Sequence, residues 1–164
     1  MSDDAVLTKR WSTLTRVHRR IETRIGRCLH QHLGLGTTEF YALRALREGT
    51  RAGAGSLYLN DLANEIGLSQ SATSRLVGRL QDRGLITVQT SSRDRRSVDI
   101  ELSVAADDVL RRGVPLLHQA VGDVVRELGG EKTDEVLLRY LRGDADDAAL
   151  RPDGPVVASC RATA

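Results

Sequence analysis

At 164 residues, with 40% apolar and 28% charged side chains, the chain is sized for one domain with a real core. It has no apolar run of about 18 residues, so no membrane span is expected. The polar start (Ser2, Asp3, Asp4) lacks the layout of a signal peptide, and two distant cysteines, Cys28 and Cys160, do not make a disulfide scaffold. A reducing, cytoplasmic setting is expected.

Aromatic residues make up only 3%, so Leu, Val, Ile and Ala must fill the core. A net charge of +2 and a pI near 8.8 say little about partners. Distribution says more. From Ser69 to Arg96 there are six arginines (75, 79, 83, 93, 95, 96) against two aspartates (82, 94), whereas Asp144, Asp146 and Asp147 make the C-terminal tail acidic.

The first expected element is a long helix over 5–33, because Val6, Leu14, Val17, Ile21, Ile25, Leu29 and Leu33 recur at three- and four-residue spacing. Gly34 and Gly36 end it. Thr37 or Thr38 can cap a second helix over 39–48, with Phe40, Leu43 and Leu46 apolar. The stretch GTRAGAGS (49–56) reads as a loop. Leu57–Leu59 is a short strand candidate, and Asn60 a cap for a helix over 61–66. Gly67 supplies a left-handed turn, and Ser69 caps the next helix, Gln70–Arg83. A strand over 85–90, an arginine-rich turn at Ser91–Ser97 and an alternating return strand Ser97–Leu102 follow. Ser103 caps a helix running to about Leu128, and Pro115 is expected to bend it. After Gly129 and Gly130 a last helix covers 131–142. The tail 143–164 has no periodicity and is expected to be disordered.

The fold class is therefore mainly α with a small β-wing. On the helix from Ser69, the spacing puts Ala72, Leu76, Leu80 and, at the margin, Val77 on one side, against Leu62, Ala63 and Ile66. The other side presents Ser71, Ser74, Arg75 and Gly78, edged by Gln70 and Arg79. Such a face suits the major groove of double-stranded DNA: Ser, Gln and Arg donate to base edges or phosphates, and arginine is the usual bidentate partner of guanine. The helix start at Ser69 favours a phosphate. Gly78 costs this helix about 1 kcal/mol relative to alanine. A solvated helix with a few arginines would look similar. The hairpin tip SSRDRRS weighs against that plainer alternative, because Arg93, Arg95 and Arg96 at a wing tip can enter the minor groove. Asp94 suits a wing-positioning role, holding an arginine in place.

The segment LNDLANEIGLSQSATSRLVGRLQDRGLI, the wing signature Asp94-Arg95-Arg96 and the strand ending at Leu102-Ser103 resemble the MarR family of bacterial transcription regulators. The likeness extends from about Val6 to Arg142. It departs in the glycine-rich loop 49–56 and in VAADD after Ser103. The resemblance implies a winged helix-turn-helix over 37–102, flanked by dimerisation helices at 1–36 and 103–142. It also implies a homodimer on a palindromic operator, with repression the usual sign. The expected DNA contacts are Ser69, Gln70, Ser71, Ser74, Arg75, Arg79, Arg93, Arg95 and Arg96.

The resemblance further implies release by a small phenolic or anionic effector, for which Trp11, Arg16, His18 and Tyr41 are candidate contacts; each suits a core or interface place equally well. Two alternatives stay open. One is a redox-sensing regulator using Cys28, which would need an exposed, low-pKa thiolate. The other is a winged-helix protein-interaction module without DNA binding. No phosphate loop, HExxH or nucleophile elbow occurs, so no enzyme and no cofactor are expected. His30 and His32 do not share a helix face, and no metal site is expected.

Overall fold

The computed structural model describes residues 3–50, 57–90, 98–129 and 135–142. Their elements are α1 (Asp3–Leu33), α2 (Thr37–Gly49), β1 (Leu57–Tyr58), α3 (Leu59–Ile66), α4 (Gln70–Asp82), β2 (Ile86–Thr90), β3 (Val98–Leu102), α5 (Val104–Leu128) and α6 (Glu135–Arg142). The expected loop over 51–56, the wing turn 91–97, the start of the last helix at 131–134 and the tail 143–164 lie outside the described residues. Contacts divide the chain into two compact units, Met1–Val124 and Val125–Ala164.

In the first unit, α1 buries Val17, Ile25 and Leu29 at four- and eight-residue spacing, with Ile21 partly buried between them. Gly34 then takes a left-handed φ of 63°, and its N–H bonds to the His30 carbonyl at 3.0 Å, ending the helix. The entry to α2 differs from expectation. Neither Thr37 nor Thr38 caps it; Gly36 holds the cap position, and the Glu39 carboxylate accepts its N–H at 2.9 Å. A carboxylate three residues into a helix reaches back to the exposed donor, which is half of a capping box.

α2 buries Phe40, Ala42, Leu43, Ala45 and Leu46. Phe40 packs on α5 at Gly113, where a Cβ would fall inside the van der Waals envelope of the ring. At the other end of α2, Arg47 pairs with Asp107 of α5 at 2.5 Å. α5 runs as one helix through Pro115. Its start is capped as expected: the Ser103 hydroxyl accepts the Ala106 N–H at 3.2 Å, and donates to the Gly84 carbonyl at 2.7 Å.

The sheet has three antiparallel strands in the order β1-β3-β2. β2 and β3 pair from Ile86↔Leu102 to Thr90↔Val98, and β1 adds Leu57↔Ile100 and Tyr58↔Asp99. Ile86 and Ile100 are buried on one face, as alternation required. Pairing of β1 with β3 fixes the chain up to Tyr58, so α3 starts at Leu59 and the expected cap at Asn60 is not made. In the second unit Val125, Leu128 and Leu138 are buried.

Gly113→Ala is expected to destabilise the protein by about 1–3 kcal/mol, the usual cost of overpacking a filled core. Thermal or urea unfolding followed by circular dichroism would measure it; an unchanged midpoint would show that Phe40 relaxes freely.

Candidate nucleic-acid interface

The two helices of the reader are joined by the shortest means available. Gly67 caps α3 with a left-handed φ of 68°, and the Leu68 N–H bonds back to the Ala63 carbonyl at 3.0 Å. Two residues later Ser69 caps α4, its hydroxyl accepting the Ala72 N–H at 3.3 Å.

The buried side of α4 is Thr73, Leu76, Val77 and Leu80. Ala72, expected there, is only partly buried, and Thr73 takes its place. The reason is chemical: the Thr73 hydroxyl donates to the Ser69 carbonyl at 3.0 Å, so a polar side chain enters the core with its donor satisfied. The helix is rotated slightly from the simplest wheel.

The expected contact residues of α4 are all exposed: Ser69, Gln70, Ser71, Ser74, Arg75 and Arg79. The structure separates their roles. Ser69 serves the helix start, and its hydroxyl lies 3.3 Å from that of Ser71. The Gln70 amide donates to Asn60 at 2.5 Å, tying the start of α4 to α3. The Arg75 Nε donates to the Ser71 carbonyl at 3.3 Å, laying the arginine along the outer face. Arg79, also exposed, lies at the edge of this face, with Nε 3.7 Å from the Glu39 carboxylate. Arg93, Asp94, Arg95 and Arg96 lie outside the described residues.

Glu39 is the residue that sequence reasoning missed. Its side chain is 15% exposed and faces three donors: the Gly36 N–H, Arg79, and Arg83 at 3.4 Å. Arg83 also donates to the Gly34 carbonyl at 2.9 Å. The carboxylate at the head of α2 thus holds the far end of the recognition helix. The spacing of Gly36 and Glu39 hinted at the cap, but nothing local pointed to Arg83, 44 residues away.

The candidate effector residues do not gather. Trp11 is 65% exposed on α1, and Arg16 and His18 are exposed on the same helix. Tyr41 is half-buried and donates to Glu22 at 2.8 Å; burial first, then this bond and the Glu22 charge, push its hydroxyl pKa well up. Tyr41 lines a cavity of about 320 Å³ with Arg44 and Glu48 of α2, Glu65 and Ile66 of α3, and Leu68. A wider groove of about 1050 Å³ lies between the end of α2, β3 and α5. Cys28 packs against the core, partly buried. No helix among the described residues is long and apolar enough to cross a membrane.

Glu39→Ala is expected to cost about 1 kcal/mol, mostly from the lost contact at the start of α2, the two partly exposed ion pairs adding little. Glu39→Gln keeps an oxygen for the Gly36 N–H and should cost less. Urea unfolding of the two variants checks the order; equal, negligible losses would show that Glu39 holds nothing.

Residues 33–97 match the model of the MarR family. Among solved structures, the chain is similar to the transcriptional regulator BldR of Sulfolobus solfataricus, at 24% identity over 88% of this chain and 97% of that one, with a TM-score of 0.68. It is also similar to BpsR of Bordetella bronchiseptica, whose DNA binding is regulated by 6-hydroxynicotinic acid, at 25% identity over 81% and 91% with a TM-score of 0.61. A MarR family regulator from Streptomyces coelicolor, solved in complex with DNA, matches at 21% identity over 91% and 88% with a TM-score of 0.68. The family consists of transcription regulators rather than enzymes. The elements α3, α4, β2 and β3 follow in the order of a winged helix, and the stretch from the end of α1 through β2 is the part of the chain that is similar to the MarR family.

Proposed function

We propose that the protein is a repressor that binds a palindromic operator as a homodimer and is released by a small molecule. One observation carries the reading most: α4 is anchored by a buried face and leaves Ser71, Ser74 and Arg75 as an exposed, donor-rich face. Ser69 and Gln70 set the helix start against a phosphate, and Arg75 reads a base edge. Arg79, held by Glu39, stands at the margin of the groove. Arg93, Arg95 and Arg96 anchor the wing, with Asp94 positioning them.

Support for a dimer comes from α1. Leu7, Trp11 and Leu14 are 68%, 65% and 45% exposed, at spacing that aligns them along one stripe. Three large apolar side chains on one exposed stripe suit burial against a second copy. A two-fold dimer would set two readers about 34 Å apart, one helical turn of DNA. Residues 1–36 and 103–142 would form this dimerisation part.

Support for an effector is chemical. The cavity beside Tyr41 is bounded by Leu68, which leads directly into the Ser69 cap of α4. A phenolic or anionic molecule there, of the size of the 6-hydroxynicotinic acid that regulates BpsR, would press on the turn between the reader's helices. Tyr41 is the favoured contact among the four candidates, since Trp11, Arg16 and His18 do not line this cavity.

Titration against duplexes selected from a random-sequence pool tests the reader. Arg75→Ala should lose discrimination between selected and random duplexes, by about 1–3 kcal/mol. Arg96→Ala should weaken binding to both alike and reduce the salt slope by about 1. Variants that both bind like the parent would contradict the face assignment. Trp11 is the sole tryptophan, so its emission should shift to the blue as concentration rises, and Trp11→Asp should sediment as a monomer. A parent that sediments as a monomer at every concentration would contradict the dimer.

A further inference from the structure

We infer that Gly78 is the point at which α4 meets the sugar–phosphate backbone at the wall of the major groove, its missing side chain being required by DNA and not by the protein. The inference rests on the DNA-reading role of α4.

Four other glycines have a reason inside the chain. Gly34, Gly67 and Gly84 have φ values of 63°, 68° and 67°, which side-chain-bearing residues rarely adopt. Gly113 leaves room for Phe40. Gly78 has neither reason. It lies in the interior of α4, is not among the positive-φ glycines, and a Cβ built on it meets nothing within 4 Å among the described residues. By helix propensity alone, alanine would be the better residue.

Its place on the helix indicates what takes up the space. Ser71, Ser74, Arg75 and Gly78 follow at i, i+3, i+4 and i+7 on one side of the helix, the first three exposed and Gly78 partly buried at its far end. Ser71 and Gly78 are thus two turns apart, about 10 Å at the rise of an α-helix. The major groove is about 12 Å wide. With the N-terminal turn of α4 over base edges, as in helix-turn-helix readers, Gly78 reaches the wall of the groove. There a bare backbone lets a phosphate or sugar come closer than any Cβ would allow. Arg75, nearly one turn before, and Arg79, the next residue, supply positive charge near the same wall. The contact carries no sequence information, because every duplex has the same backbone.

Gly78→Ala should therefore act in opposite directions on folding and on binding. Its melting temperature should rise. Its affinity for selected and for random duplexes should fall together, by about tenfold or more, as a close contact is lost. The parent is titrated on the same duplexes. Binding by the variant equal to that of the parent would overturn the inference, as would a lowered melting temperature, which would give the glycine an internal role. A loss confined to the selected duplexes would place Gly78 over base edges and overturn the backbone assignment. Failure of the parent itself to bind any duplex would instead overturn the reading of α4 as a DNA reader, and the inference with it.

Discussion

The Glu39 carboxylate is the point on which the reader's geometry turns. It lies at the head of α2, where it closes the helix start through Gly36 and holds Arg79 and Arg83 from α4. The ion pairs are not strong as isolated contacts, since each arginine is partly exposed and screened by water. Their value is directional. The recognition helix is already held along its length by Thr73, Leu76, Val77 and Leu80, but burial of the three apolar side chains is non-directional. A carboxylate at its far end, and the Gln70–Asn60 bond at its near end, add directional contacts. A helix that must match base edges needs such restraint at both ends.

Much of this was legible in the sequence. Helices α1, α2 and α4 follow from three- and four-residue apolar spacing, and the start of α5 at Ser103 and the turn at Gly67 with its cap at Ser69 follow from local residue chemistry. Strand β3 alternates so regularly that its buried face could be named from Ile100 and its neighbours. What the sequence did not show were contacts between residues distant along the chain. Arg83 looks like any exposed arginine until the fold sets it beside Glu39 and Gly34. Thr73 looks polar, and only its bond to Ser69 explains its complete burial. The cap at Asn60 failed because a non-local pairing, β1 with β3, determined where α3 begins.

The site residues divide along the same line. On α4 the expected face is exposed as helical periodicity required, because its geometry is local. The effector candidates were drawn from residue types scattered over α1 and α2, and three of the four do not line the cavity beside Tyr41. A pocket is a property of how elements pack, and residue type carries little of that information. Tyr41 is tied to Glu22 on α1 and borders the cavity that reaches Leu68 in the turn before α4.

Hydroxyl-radical footprinting on a duplex selected by the protein tests the central claim most directly. A homodimer that reads DNA through α4 should protect two equivalent patches of backbone, related by two-fold symmetry and centred about one helical turn apart. Protection of a single patch, or of two patches without symmetry, would contradict it.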